Sequence, residues 1–246
     1  MSASPIAGTP RTDLPRTDDV PHPTRWPLNH LDGPSRWLIR RRFDVRLHET
    51  ENIPKTGPVV FASNHIGIID GPLLAIFTPR PVHALTKMEM FEHWFLGPFL
   101  RWAGQIPLYR FGSDPAAVKT ALRVLRAGGA MGIYPEGSRG AGDLVRFNRG
   151  AAYFALASGA PVVPVTMLGS RDPGGGVSSL PHKGARIDIV YGEPFHVERV
   201  GWPRTREQVG HVSGLLQKHM QVQQDHALAL TGRDLPGPLP IEENND

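Results

Sequence analysis

His65 stands five residues before Asp70 in the run Asn64-His65-Ile66-Gly67-Ile68-Ile69-Asp70. Imidazole is the side chain best suited to taking a proton near neutral pH, and a carboxylate on its other nitrogen fixes its tautomer. A catalytic base with its orienting partner is one reading of the pair. The other is an ordinary loop histidine followed by a helix-capping Asp70, with Pro72 in the first helical turn.

Two more polar groups follow apolar runs. Pro135-Glu136-Gly137-Ser138-Arg139-Gly140 presents a carboxylate and a guanidinium on a glycine-punctuated turn, and Gly104-Gln105-Ile106-Pro107-Leu108-Tyr109-Arg110 ends on an arginine. The planar fork of arginine suits a phosphate, and glycines let backbone amides approach an anion closely. Together these residues offer a base, its carboxylate and phosphate-binding arginines. The plainer alternative pairs Glu136 with Arg139 across the turn and leaves Arg110 as a surface charge.

Short β-branched runs alternate with helical stretches, and these elements must position the groups. Strands are expected at Val59–Ala62, Val82–Leu85, Ile106–Tyr109, Ala130–Tyr134, Val162–Thr166 and Arg186–Tyr191. Helices are expected at Ser35–Phe43, Pro72–Phe77, Glu89–Ala103, Pro115–Arg126, Gly150–Ser158 and Arg204–Leu230. The helix after Asp114 is the clearest: Asp caps it, Pro115 opens it, Val118, Ala121, Leu122 and Leu125 share a face, and Gly128-Gly129 ends it. This alternation predicts a single α/β domain, a largely parallel mixed sheet flanked by helices, with sites at the carboxyl ends of strands. The domain is drawn at 28–230, between an N-terminal segment at 1–27 and a C-terminal tail at 231–246, both proline-rich and expected to be disordered or loosely draped.

Composition narrows the chemistry. The 246 residues contain no cysteine, which removes thiolate zinc sites, disulfides and an acyl-cysteine intermediate. Lys and Arg total 27 against 23 Asp and Glu, and the pI is about 9.7, which suits anionic partners. The eleven histidines show no His-x-x-x-His or His-x-His pair, so no metal is expected. The basic residues are dispersed and form no recognised nucleic-acid module. No apolar run approaches the roughly 18 residues of a membrane span, and the start lacks a secretory signal. The expected location is cytoplasmic, soluble or peripherally attached.

The motifs resemble those of the glycerolipid acyltransferase family, whose best-known members are 1-acylglycerol-3-phosphate acyltransferases. Asn-His followed after four residues by Asp is met by Asn64, His65 and Asp70. A Gly-x-Ile-x-x-x-Arg type resembles Gly104 to Arg110, Phe-Pro-Glu-Gly-Thr-Arg is matched by Tyr134 to Arg139, and a Val-Pro-Val type by Val163-Pro164-Val165. Order and spacing agree across roughly residues 50 to 195. Three positions depart: Gly67 where the family often has Ser, Tyr134 for Phe and Ser138 for Thr. Gly67 removes a possible hydrogen bond near His65.

The resemblance implies transfer of a fatty acyl group from a thioester, acyl-CoA or acyl carrier protein, to the hydroxyl of a lysophospholipid in phospholipid biosynthesis, with no other cofactor. In that reading His65 is the general base and Asp70 orients it. Arg110 and Arg139 bind the acceptor phosphate, Glu136, Gly137 and Ser138 shape that site, and Lys87 is a further phosphate or donor contact. The chain lacks a Gly-x-Ser-x-Gly elbow for an acyl-serine, so direct transfer is expected. The implied location is the inner face of the membrane. Phe91 to Trp102 clusters Trp and Phe beside basic residues, as interfacial helices do, though core packing is the rival reading. Trp37-Leu38-Ile39-Arg40-Arg41-Arg42-Phe43 is a second candidate, with arginines that could meet anionic headgroups or form a solvated face. The competing readings are a metal-dependent hydrolase, a lipid-binding membrane-surface protein of the same fold without turnover, and an acyltransferase with a different acceptor alcohol or amine.

Overall fold

The computed structural model describes residues 14–240. Its strands are β1 (Asp44–His48), β2 (Val59–Ser63), β3 (Val82–Lys87), β4 (Ile106–Leu108), β5 (Ala130–Ile133), β6 (Val162–Leu168) and β7 (Arg186–Tyr191). They form one sheet in the order β1-β7-β6-β2-β5-β3-β4. From β4 to β6 all neighbours are parallel; β7 is antiparallel to β6, and β1 is parallel to β7. The helices are α1 (Trp26–His30), α2 (Asp32–Arg40), α3 (Asp70–Phe77), α4 (Glu89–Glu92), α5 (Leu96–Trp102), α6 (Pro115–Arg126), α7 (Gly150–Ser158) and α8 (Arg206–Thr231). This is the expected single α/β domain with a largely parallel sheet.

Helices cover both faces of the sheet, which is why its central strands read as unbroken apolar runs. All five residues of β2 are buried. Val60 and Ala62 point into a core completed by Ala121, Leu122 and Leu125 of α6, Phe154 of α7 and Leu216 of α8. Val59 and Phe61 point the other way, into a core with Leu73, Leu74 and Phe77 of α3. The cap on α6 is as expected: Asp114 accepts from the Ala117 amide at 3.0 Å. Thr205 and Gln208 form a capping box that starts α8.

Three expectations need correction. The helix expected over Glu89–Ala103 is broken at His93 to Phe95 into α4 and α5. Pro98 has no N–H to give the carbonyl of Trp94, so a helix can include it only in a fresh first turn. Strand β1 was not expected, because an edge strand that buries Val45 while exposing Asp44 and Arg46 shows no apolar run. Of the two alternatives for 1–27 and 231–246, disorder does not describe the segments 14–27 and 231–240, which are draped over the domain. Arg126 Nη1 donates to Pro15 O (2.9 Å) and Thr17 Oγ1 (3.0 Å), and Arg171 Nη2 donates to Gly237 O at 2.6 Å, so both segments are held on the domain. Residues 1–13 and 241–246 lie outside the described residues.

Candidate active site

The site forms where β2 and β5 hand over to loops at one edge of the sheet. Asn64 leaves β2 and pairs with β6 as a strand residue would: its Nδ2 donates to Met167 O (3.0 Å) and its Oδ1 accepts from Met167 N (2.7 Å). That anchors the chain immediately before His65. The backbone of His65 is then gripped from the β5 side. Its amide donates to Glu136 Oε1 at 2.8 Å, and its carbonyl accepts from the Gly140 amide at 2.9 Å.

His65 Nδ1 lies 2.8 Å from Asp70 Oδ2. Asp70 is fully buried, whereas the His65 side chain is 20% exposed. The same Oδ2 accepts from the amides of Ile66 (2.8 Å) and Gly67 (2.9 Å), and Oδ1 accepts from the Ser170 hydroxyl. The carboxylate therefore does not cap α3, as the plainer alternative held. It turns back and organises the loop before the helix. Because a carboxylate only accepts, Nδ1 carries the proton, leaving the Nε2 lone pair with no hydrogen bond to a described residue. The Tyr134 ring stacks on the imidazole at 4.1 Å between centroids, tilted 23°. Its hydroxyl is buried with no hydrogen-bond partner among the described residues, and burial holds that phenol well above its ordinary range.

Glu136 is 5% exposed. Burial pushes its carboxyl up to about 7, against the opposing pull of the His65 amide that it accepts from. Gly137 has φ +76°, and Asn148 Nδ2 lies 2.6 Å from where its Cβ would stand, so only glycine fits the turn. Arg110 Nη1 donates to Gly137 O at 2.9 Å, which brings the arginine after β4 onto the Glu136 turn. Ser138 is half-buried beside it, and Arg139 Nη1 donates to Val177 O at 2.8 Å. Lys87 closes β3 opposite Leu108 of β4, at the same edge of the sheet. The structure thus gathers the expected residues along one edge, with Glu136 supporting the His65 loop from below. Among the described residues no three His, Asp or Glu side chains are grouped as metal ligands.

Two contributors were not anticipated. Ser170 and Arg171 follow β6, and both are buried. Arg171 donates to Ile66 O (2.8 Å), Gly140 O (2.9 Å), Gly175 O (2.8 Å) and Gly237 O (2.6 Å), tying the His65 loop, the Glu136 loop and the C-terminal segment together. The signal was a polar Gly169-Ser170-Arg171-Asp172 directly after a strand. β6 runs to Leu168, two residues beyond the expected end at Thr166, and so delivers this polar run directly to the site. Ser170 also explains Gly67. A Cβ there would strike the Ser170 backbone carbonyl, so this glycine makes room for the residue that hydrogen-bonds Asp70.

A family profile described as Acyltransferase matches residues 44–168, spanning β1 to the end of β6 and so both His65 and Glu136 loops. The chain belongs to the acyltransferase family. It is 31% identical over 160 residues to a 1-acyl-sn-glycerol-3-phosphate acyltransferase of Bacillus subtilis, covering 65% of this chain and 77% of that one. A protein of the same name from Borreliella burgdorferi is 35% identical over 127 residues, half of each chain. The crystal structure of the 1-acyl-sn-glycerophosphate (LPA) acyltransferase PlsC from Thermotoga maritima shares the fold of this acyltransferase-family chain. That match has a TM-score of 0.61 at 22% identity and covers 84% of this chain and 80% of the other.

Proposed function

We propose that the protein transfers a fatty acyl group from a thioester donor, acyl-CoA or acyl carrier protein, to the free hydroxyl of 1-acylglycerol-3-phosphate, a step of phospholipid biosynthesis. The observation that carries this reading is the open Nε2 of His65, opposite an Nδ1 bound to a buried carboxylate, in a member of the acyltransferase family. The acceptor oxygen attacks the thioester carbonyl carbon while His65 Nε2 takes its proton. The C–S bond of the tetrahedral intermediate then breaks, and the imidazolium returns the proton to the leaving sulfur. Asp70 orients and stabilises the imidazolium, as the carboxylate does in a serine-protease triad, with the substrate as nucleophile. Arg110, Arg139 and Lys87 supply positive charge at the same edge for the acceptor phosphate. Gly137 and Ser138 form the turn beneath it.

The acceptor is an amphiphile, and the surface offers a place to meet a bilayer. Among the described residues no helix is long and apolar enough to cross a membrane. Trp94, Phe95, Phe99 and Trp102 are exposed around α5, and Trp26 of α1 lies 6.1 Å from Trp102. Exposed Trp and Phe beside Arg101 form the kind of surface that settles at a lipid–water interface, which supports peripheral membrane attachment; we place it at the inner face. Thiol release from palmitoyl-CoA with 1-oleoylglycerol-3-phosphate tests the reaction. The wild type should release thiol only when both substrates are present, and His65→Ala should abolish release with an unchanged thermal midpoint. Near-wild-type release by His65→Ala would refute the assignment.

A further inference from the structure

Beyond the His65 site, one cavity of about 590 Å³ is lined by Arg40, Arg41, Arg42, Asp44 and Lys183. Its place in the fold follows from the register. Asp44 opens β1 opposite Arg186, and Asp188 of β7 faces Leu168, the last residue of β6. Because β1 and β7 run against β6 and β2, residues 40–43 and 183–184 lie at the sheet edge from which β2 and β6 deliver His65 and Ser170. From β1 to β2 is three strand spacings, about 14 Å at the usual ~4.8 Å step.

Arg40, Arg41, Arg42 and Lys183 are exposed, so the cavity is an open hollow on the surface. Asp44, the lining carboxylate, accepts both Nε (2.9 Å) and Nη2 (2.6 Å) of Arg46, so its charge is already matched. None of Arg40, Arg41, Arg42 or Lys183 is paired with a carboxylate among the described residues. The guanidiniums are held by stacking instead: Arg40 over Phe77 at 5.2 Å, Arg41 over Trp37 at 4.8 Å and Arg42 over Phe43 at 5.3 Å. A stacked guanidinium keeps its in-plane N–H donors, so the hollow presents four cations to an entering anion.

We propose that this cavity is a phosphate-group site. On the acyl-transfer reading, on which this step rests, the phosphates are those at the nucleotide end of a coenzyme A thioester whose acyl end lies at His65. An anionic phospholipid headgroup carries the same chemistry, and the test separates the two sources. The probes are coenzyme A itself, followed by titration calorimetry, and sedimentation with vesicles of phosphatidylglycerol or of phosphatidylcholine alone. The variant combines Arg40→Gln, Arg42→Gln and Lys183→Gln, with a thermal melt to check folding and Lys183→Gln alone as the milder change.

Coenzyme A should bind the triple variant at least about tenfold more weakly, the loss expected from even one charge-assisted hydrogen bond, and wild-type binding should weaken as salt rises. Unchanged coenzyme A binding with a comparable loss on phosphatidylglycerol vesicles alone would keep the phosphate site and assign it to the bilayer. Wild-type behaviour of the folded triple variant toward both probes would overturn the proposal. Neither measurement needs turnover, so failure of the reaction and failure of this site are separately visible.

Discussion

Replacing Asp70 by asparagine isolates the charge of the buried carboxylate from its geometry. Oδ2 accepts from three donors, His65 Nδ1 and the amides of Ile66 and Gly67, at 2.8 to 2.9 Å. An asparagine must turn its carbonyl toward those donors, because its NH₂ would face two fixed N–H groups. The Nδ1–H tautomer of His65 therefore survives. On the other side the NH₂ meets Ser170 Oγ, which can rotate and accept. On the proposed mechanism, what disappears is the negative charge beside an imidazolium that forms only during reaction. At a charge separation of about 4 Å and an effective dielectric near 20, that is about 4 kcal/mol. If the loss falls wholly on the transition state, kcat drops about a thousandfold. Thiol release from palmitoyl-CoA at saturating acceptor measures it, and urea unfolding checks that stability changes little. A folded Asp70→Asn protein retaining kcat within tenfold of wild type would refute the reasoning.

Glu136 makes stability depend on pH. Burial raises its carboxyl from an ordinary 4.5 to about 7, so the fold favours the protonated form. That contribution is full below about pH 4.5 and is lost as the pH rises through about 7, amounting to about 3 kcal/mol over the window. Glu136→Gln keeps an acceptor for the His65 amide and removes the ionisation. Urea unfolding should therefore show the wild type losing roughly that amount relative to the variant between about pH 4.5 and 8, and parallel curves would contradict it. Gly67→Ser places a Cβ against the Ser170 carbonyl, with an overpacking cost of roughly 1–3 kcal/mol and displacement of the Ser170–Asp70 bond. A lower thermal midpoint with reduced thiol release is expected, and an unchanged midpoint would show that the loop yields without cost.

Much of the architecture was legible because it is local. The apolar runs of β2, β5 and β6, the Asp114-Pro115 start of α6 and the Gly159 stop after α7 each announce themselves within a few residues. So did the grouping of His65, Asp70, Glu136 and Arg139, since parallel strands deliver their polar loops to one edge. Less legible was anything set by a neighbour distant in the chain. β1 is a strand because β7, about 140 residues further along the chain, offers its edge. The break between α4 and α5 is a local effect of Pro98, masked in the sequence by the apolar residues on either side.

By itself the sequence determined the chemical parts: a histidine and an aspartate at the right spacing, arginines at two other strand ends, and no cysteine to carry an acyl group. Only the tertiary structure decided how those parts are wired. It turned Asp70 away from capping α3 and onto two loop amides, and set Ser170 on its second oxygen. It also placed Glu136 under the His65 backbone and buried Arg171 among four carbonyls drawn from separate loops. The physical reason is burial. A carboxylate or guanidinium withdrawn from water must find all its partners inside the protein, and those partners are chosen by where the strands end rather than by spacing along the chain.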